Sequence, residues 1–264
     1  RKEYWIFSDS MSVVPNLHGM FALKKLIESG QMKPGDVVIN GQSGDFVTGQ
    51  HIPILKKSSA NNEVLINNIL KKHYSLREDM CEEKMSIELM RGKIKESLGE
   101  HQNVTSYQEL AKSYEYWEWK ERQAKRVVNG QHNYDYFKLN WELPLWDLEY
   151  LEFWVDLPLH QKIDRRLFVK YLNEMNFYNL FNGTDKFMSR WPINRVYIQF
   201  FGNILSKIFG KKISNLYYKR LDWYSQYQYI YALTEKDEYN RHWRDYRGPY
   251  PYMINTWISE NIKK

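Results

Sequence analysis

The residues with the clearest chemical potential lie in the glycine-rich segment GQSGDFVTGQH, residues 41–51. Its three glycines would let the backbone turn tightly and bring N–H groups close to a phosphate. Asp45 beside such a loop could hold Mg²⁺, which prefers hard oxygen ligands and shares them with substrate phosphates. The alternative is an ordinary strand-to-helix turn in which Asp45 caps the next element. Spacing alone leaves both readings open.

The elements around this loop are typical of an α/β unit. Apolar residues recur at helical spacing in 16–28, which predicts an amphipathic helix that Gly30 ends. The short β-branched run 36–40 then predicts a buried strand of a parallel sheet. Ligands of open α/β sheets bind at the loops that leave the carboxyl ends of the strands, and the glycine-rich loop has this position.

Beyond the polar break at 58–62 the sequence is mainly helical. The apolar spacing predicts helices over 63–73, 82–98, 106–128, 149–156, 165–177, 194–209, 214–233 and 252–262. The segment 8–10, Ser-Asp-Ser, has no glycines before it and is expected to be an ordinary turn.

Composition narrows the class of protein. The chain has 264 residues, 43% hydrophobic and 27% charged, which predicts a folded protein with little disorder. The net charge of +6 would suit an anionic ligand, although the basic residues are interspersed with acidic ones. Cys81 is the only cysteine, which excludes an internal disulfide and fits a reducing compartment. No stretch is apolar enough to span a membrane, so we expect a cytoplasmic protein.

Four short segments, in order along the chain, resemble the asparagine synthase family. The segment 41–51 resembles the family loop that runs glycine, any residue, glycine or serine, a small residue, aspartate, glutamate and ends in glycine-tyrosine. Residues 142–153 (ELPLWDLEYLEF) resemble its arginine-hydrophobic-proline-phenylalanine-leucine-aspartate segment. Residues 157–162 resemble its proline-to-lysine link, and 170–172 resemble its lysine-tyrosine-leucine helix. The resemblance covers about residues 4–175.

This resemblance implies a nucleotide-hydrolase-like parallel sheet of the adenine nucleotide alpha-hydrolase (HUP) type and a two-stage reaction. ATP adenylates a carboxylate and releases pyrophosphate, and ammonia from solution or from a glutaminase domain or partner then forms the amide. Asp45 would hold Mg²⁺-pyrophosphate, Lys170 would neutralise developing charge, and Asp147 would shape the site. The cofactor-binding residues would be Gly41, Ser43, Gly44 and Asp45.

Within this region, residues 113–140 look most like members found among enzymes of bacterial surface-polysaccharide synthesis. Such members are thought to convert a sugar carboxylate, carried on a sugar nucleotide, into a carboxamide. Glu118 and Glu121 lie on a predicted helix and could face the substrate, or could form solvated salt bridges. Arg166, about one helical turn before Lys170, could reach an anionic substrate, or could lie in a surface pair.

The chain also departs from the family pattern. Gln42 stands where the family has an acidic base, and Phe46 stands where it has a glutamate. His51 is then the nearest group that could titrate near neutral pH, unless it is an ordinary hydrogen-bonded loop histidine. The serine-rich loop that grips the ATP phosphates in the family does not occur, so we expect the fold to be N-terminally incomplete and this chain alone to be inactive.

The resulting prediction is an α/β synthetase domain over residues 1–180, followed by a helical, aromatic-rich extension over 181–264. The rival is a non-catalytic asparagine synthase-like fragment or binding partner, which Gln42 and Phe46 would allow. A weaker alternative is an RNA-binding protein, because residues 217–220 interleave rings with cations. Nucleic acid is the least favoured partner.

Overall fold

The computed structural model describes residues 2–10, 17–54, 60–74, 83–181, 193–225, 236–246 and 248–261. These residues are mostly helical, with one two-stranded parallel sheet. The chain forms two compact units. Unit 1 comprises residues 1–73 and 85–171, and unit 2 comprises 74–84 and 172–264. The sequence-based division after residue 180 stays a prediction. Cys81 lies outside the described residues.

The helices of unit 1 are α1 (Lys2–Ser10), α2 (Leu17–Glu28), α3 (Gly44–Val47), α4 (Asn62–His73), α5 (Lys84–Leu98), α6 (Tyr107–Glu118), α7 (Leu148–Asp156), α8 (Leu159–Lys162) and α9 (Arg166–Met175), with α5 and α9 each crossing a boundary of the unit. Most of them follow the predicted periodicity, whereas α1 and the short α3 and α8 were not predicted. A π-helix, Trp119–Val128, extends α6, so the predicted single element over 106–128 is nearly correct. The turn predicted at 8–10 is wrong, because these residues end α1.

The sheet pairs β1 (Val37–Ile39) with β2 (Asn140–Glu142) in parallel, with Val38 opposite Trp141. The predicted strand and its parallel pairing are therefore present. Its predicted burial is wrong, because Val37 and Ile39 are 53% and 71% exposed. Among the described residues β1 has a single partner strand, and the face that carries these two side chains is left open to solvent.

Three helices contribute many of the most completely buried side chains in the core of unit 1. Leu65 and Ile69 of α4, Ile94 of α5, and Leu110 and Tyr114 of α6 are almost completely buried. Burial of each such side chain stabilises the fold by about 1.5–3 kcal/mol. The start of α6 is fixed by a capping box, in which the Ser106 side chain and the Glu109 side chain each accept a backbone N–H of the other residue. This helix presents Glu118 at its last position.

Unit 2 contains α10 (Ile193–Phe209), α11 (Lys211–Ser225), α12 (Lys236–His242) and α13 (Pro249–Asn261). The prediction of a helix over 214–233 is confirmed to Ser225, and residues 226–235 lie outside the described residues. Helix α12 was not predicted. Its seven residues, KDEYNRH, carry too few apolar side chains to show helical spacing.

Candidate functional site

The glycine-rich loop leaves the carboxyl end of β1 and is fastened by Ser43. This residue has φ 68°, in the left-handed region that non-glycine residues rarely adopt. Its buried hydroxyl donates to Gln123 Oε1 at 2.8 Å and accepts from Trp146 Nε1 at 3.0 Å. Gly44 packs closely on the segment after β2, because a Cβ there would lie 2.7 Å from Leu145 Cδ1. The loop and the segment after β2 are therefore packed against each other.

Some of the loop amides are used inside the loop. The N–H of Gln42 donates to Asn40 Oδ1 at 3.0 Å, and the N–H of Phe46 donates to Asp45 Oδ1 at 2.8 Å. Neither amide is directed at an external anion in this conformation. Gly41 and the side chain of Gln42 are exposed at the surface of the loop.

The structure joins Asp45, His51 and Glu118 in one chain of hydrogen bonds. His51 Nε2 lies 3.1 Å from Asp45 Oδ2, and His51 Nδ1 makes a short contact with Glu118 Oε1. A neutral imidazole has one N–H, whereas an imidazolium donates from both nitrogens. Because both ring nitrogens face carboxylates, this geometry favours the imidazolium form of His51.

Glu118 is the buried centre of this charged network. Its side chain is fully buried and accepts from Arg122 Nη1 at 2.9 Å and from Lys72 Nζ at 3.3 Å, in addition to His51. Burial alone would raise the pKa of Glu118, but the hydrogen bond from His51 and the charges of His51, Lys72 and Arg122 outweigh it and lower the pKa to about 2. Glu118 is therefore ionised at neutral pH.

The two histidines beside Glu118 differ in charge. Burial lowers the pKa of His51, but its hydrogen bonds to Asp45 and Glu118 raise it by more, so that the net shift is upward. Burial lowers the pKa of His73 to about 4, so His73 is neutral at pH 7. The hydrogen bond from His51 lowers the pKa of Asp45 to about 2. The carboxylate of Asp45 is thus ionised and half-exposed, and it is hydrogen-bonded to His51, which in turn contacts the buried Glu118.

This arrangement bears on the roles expected for His51 and Glu118. Both ring nitrogens of His51 face carboxylates, and Arg122 Nη1 also lies 3.4 Å from His51 Nδ1. We therefore interpret His51 as a residue that positions Asp45, and the base role considered for it stays a prediction. Because Glu118 is fully buried, it supports the site and does not present an open face to a substrate.

The remaining predicted site residues lie apart from this network. Glu121 accepts from Ser97 Oγ at 2.6 Å and pairs with Lys125. Asp147 is the N-cap of α7 and accepts from the Tyr150 N–H at 3.2 Å. Both therefore have structural partners.

Arg166 and Lys170 are exposed on α9. This helix packs against the buried Phe46, Val47 and Trp154 through Leu167 and Phe168. The structure thereby brings α9 to α3, the short helix within the glycine-rich segment. Where the Lys170 ammonium points relative to Asp45 stays a prediction.

A cavity of about 260 Å³ lies behind the loop. Buried Phe46, Val47, Trp154 and Lys162 line it, together with the more accessible His101, Lys112, Glu115, Tyr116, Trp119, Leu151 and Val155. Lys162 is buried and pairs with Glu115 at 2.8 Å. Burial raises the pKa of Glu115 against the opposing effect of Lys162. A second cavity, of about 250 Å³, includes Asn40 and Gln42.

Sequence reasoning missed several residues that support these sites. Lys162 appeared only as the end of a motif, and Gln123, Lys72 and Glu115 were not considered for the site. The segment that Lys162 ends, LPLHQK, mixes apolar and polar residues and gave no clear signal for burial of the lysine. Nothing local in the sequence could show that Gln123 reaches a serine 80 residues earlier.

No group of three or more His, Cys, Asp or Glu side chains arranged to hold a metal ion occurs among the described residues. None of their helices is both long and apolar enough to cross a membrane.

Comparison of the chain with protein-family models, curated proteins and solved structures found no match. The asparagine synthase-like assignment therefore stays a proposal based on the motifs of this chain and their arrangement.

Proposed function

We propose that unit 1 is an asparagine synthase-like, ATP-dependent ligase domain that converts a carboxylate into a carboxamide through an acyl-adenylate. The proposed fold is of the adenine nucleotide alpha-hydrolase (HUP) type, and the proposed cofactors are ATP and Mg²⁺. A uronic-acid sugar nucleotide is the proposed acceptor, with ammonia or a glutaminase as nitrogen source. One observation carries the proposal: an ionised, exposed Asp45 stands in the first turn of α3, within the glycine-rich segment that leaves the carboxyl end of β1.

The chemistry of Asp45 supports this role. Its side chain is 54% exposed, and the hydrogen bond from His51 lowers its pKa to about 2. Each oxygen accepts one hydrogen bond, from His51 or from the Phe46 N–H, and a carboxylate oxygen has further lone pairs. Mg²⁺ is typically held by one or two carboxylates together with substrate phosphates.

The contact between two motifs also supports the proposal. The loop and the segment after β2 were matched to the same family separately and are about 100 residues apart in the sequence. The hydrogen bond between Ser43 and Trp146 joins them. Segments that form one site are expected to meet in this way at the carboxyl edge of a parallel sheet.

The cavity lined by Phe46 and Lys162 is the proposed acceptor pocket. Two of its lining residues, Phe46 and Val47, directly follow Asp45 in the chain. The cavity combines apolar walls with the Lys162–Glu115 ion pair. Ligand sites commonly pair apolar walls with a few polar groups that fix orientation. The ammonium of Lys162 would attract the carboxylate of the acceptor.

A non-catalytic role is the second candidate, and two observations favour it. Phe46, at the family's glutamate position, is buried in the core with Val47 and Trp154. His51 is committed to two carboxylates and Gln42 cannot accept a proton. The chain would then keep diphosphate binding while the amide-forming stage has been lost.

Calorimetric titration with Mg²⁺-pyrophosphate tests the binding role. Asp45→Asn should weaken binding at least about tenfold, because the amide loses the charge that attracts Mg²⁺. The matched control is Asp36→Asn, which changes the same residue type at the opposite end of β1 and should bind as the parent does. Equal binding by the parent and Asp45→Asn would refute the site.

Turnover distinguishes the two candidate functions. Pyrophosphate release and AMP formation by the full-length protein should be measured with ATP and uronic-acid sugar nucleotides, with and without the Lys170→Ala substitution. Release that falls in Lys170→Ala supports the ligase. Tight Mg²⁺-pyrophosphate binding without any release supports the non-catalytic protein.

A further inference from the structure

The segment 193–221 of unit 2 is strongly cationic. It contains six basic residues and no aspartate or glutamate; the basic residues are Arg195, Lys207, Lys211, Lys212, Lys219 and Arg220. The chain as a whole has 38 basic and 32 acidic residues, so charges of both signs would be expected in a segment of this length. A region with one sign of charge attracts a partner of the opposite sign.

This segment folds into a helical hairpin formed by α10 and α11. Gly210, with φ 84°, joins the two helices in a conformation that favours glycine. The hairpin closes where the buried Ser214 hydroxyl donates to the Gly202 carbonyl at 2.9 Å. Tyr218 packs directly over Gly202, so any side chain at that position would collide with its ring. The facing sides of α10 and α11 therefore pack against each other.

The tip of the hairpin, defined as residues 207–213 (KIFGKKI), exposes apolar and cationic side chains together. Ile208 is 65% exposed, Phe209 is 62% exposed and Ile213 is 43% exposed. The tip also contains Lys207, Lys211 and Lys212, which lie next to these apolar residues in the sequence and are exposed as well. Single exposed apolar residues are common, but a cluster of this kind marks an interaction site.

The combination of side chains identifies the chemistry of the partner. Amphipathic helical segments with aromatic or aliphatic residues beside lysines lie in the boundary between lipid headgroups and acyl chains. Lysines near an anionic bilayer each strengthen binding, and salt weakens the attraction. Single-stranded nucleic acid would instead require several ring platforms for base stacking, whereas the tip offers one exposed ring, Phe209, beside the aliphatic Ile208 and Ile213.

We propose that the tip of the α10–α11 hairpin docks on an anionic phospholipid surface. Ile208, Phe209 and Ile213 enter the boundary of the acyl chains, while Lys207, Lys211 and Lys212 pair with lipid phosphates. The hairpin lies on the membrane and does not cross it. The docking is independent of the ligase chemistry proposed for unit 1.

Co-sedimentation of the full chain with vesicles tests the docking. Vesicles of phosphatidylcholine and phosphatidylserine in a ratio of about seven to three should bind the chain, and pure phosphatidylcholine should bind it at least about tenfold more weakly. Lys207→Gln/Lys211→Gln/Lys212→Gln should reduce binding on the order of a hundredfold, since each lysine contributes about fivefold. Ile208→Ser/Phe209→Ser should reduce it at least about tenfold.

Matched controls change exposed apolar residues and exposed lysines of unit 1. Met85→Ser/Leu89→Ser changes two side chains of α5 that are 76% and 65% exposed. Lys24→Gln/Lys25→Gln/Lys93→Gln changes three exposed lysines. Both should bind vesicles as the parent does, and circular dichroism should show that every variant is folded.

Three outcomes would overturn the proposal. The first is equal binding to both vesicle types, and the second is unchanged binding after the changes at the tip. The third is tighter binding to a single-stranded RNA oligonucleotide, lost in the lysine variant but kept in Ile208→Ser/Phe209→Ser, which would assign the surface to nucleic acid.

Discussion

Replacing Glu118 by Gln is the most direct test of the buried charged network that holds His51. The carboxylate of Glu118 is fully buried and balances the charges of His51, Lys72 and Arg122. Glutamine keeps the shape of the side chain but removes its charge and replaces one carboxylate oxygen with an NH₂ group, which donates hydrogen bonds. Three cations would then share a site without a buried anion.

The expected cost follows from the pKa of Glu118. Burial opposes ionisation, but the hydrogen bond from His51 and the nearby cations outweigh it and lower this pKa from 4.5 to about 2. Because one pKa unit corresponds to about 1.4 kcal/mol, the ionised form stabilises the fold by about 3 kcal/mol. Removal of one partner from a buried ion pair typically costs about 3–5 kcal/mol. We therefore expect Glu118→Gln to lower the free energy of unfolding by about 3 kcal/mol at neutral pH.

The pH dependence gives a second, independent readout. Since the pKa of Glu118 is lower in the folded state, its stabilisation is complete above the unfolded-state pKa and is lost as the pH falls towards 2. The difference in unfolding free energy between parent and variant should shrink to about half between about pH 7 and about pH 3. Urea denaturation followed by tryptophan fluorescence measures both values.

A matched variant separates this effect from the loss of any helical ion pair. Glu96 is also on a helix and pairs with Lys93 at 3.0 Å, but its side chain is 71% exposed. Glu96→Gln should cost less than about 0.5 kcal/mol. If Glu118→Gln is no more destabilising than Glu96→Gln, or if its cost does not shrink on acidification, the reasoning about the buried network is refuted.

Three further changes test the packing around the site. Gly49→Ala should cost at least about 2 kcal/mol, because φ is 91° and the new Cβ would lie 2.6 Å from the Lys162 carbonyl oxygen; thermal unfolding measures it. Ser43→Ala should cost about 1–3 kcal/mol in urea denaturation, because the buried Gln123 loses the hydroxyl that donates to it. Lys162→Met should make the free energy of unfolding fall more steeply as the pH rises from about 5 to about 7. Burial raises the pKa of Glu115, and without its cation Glu115 would have to ionise in an apolar site.

Each of these three has its own control. Gly41→Ala should be nearly neutral, since no atom lies within 4 Å of the place where its new methyl group would stand, and an equal cost would contradict the steric account of Gly49. Ser29→Ala removes an exposed hydroxyl and should cost less than Ser43→Ala. Glu115→Gln/Lys162→Met should abolish the steep pH dependence, and its persistence would assign that dependence to another group.

The sequence predicted most helices correctly, but it predicted poorly what packs against each element and which side chains are buried. Residues of α4 and of α6 recur with helical spacing, and this local pattern is enough to define an amphipathic helix. The strand Val37–Ile39 was found from its β-branched run, but its burial was wrongly predicted. Burial of a strand depends on what packs over it, and this is not encoded in the strand itself.

The candidate site shows the same division between local and distant information. The loop and Asp45 were recognisable because glycines and an aspartate follow a strand at short spacing. Their support was not recognisable, because Glu118 lies 67 residues after His51 and Lys162 lies 47 residues after Glu115. Charged residues three or four positions apart on a helix give the same sequence pattern whether they form an exposed salt bridge or a buried ionic network.

The sequence alone thus determined where most helices run and where a glycine-rich segment follows a strand, because backbone preference and apolar periodicity act between near neighbours. Only the tertiary structure decided that His51 is held between Asp45 and Glu118 and that Lys162 is buried. Those properties depend on which distant side chains exclude water and place charges within a few ångströms of each other, since burial and nearby charge set ionisation.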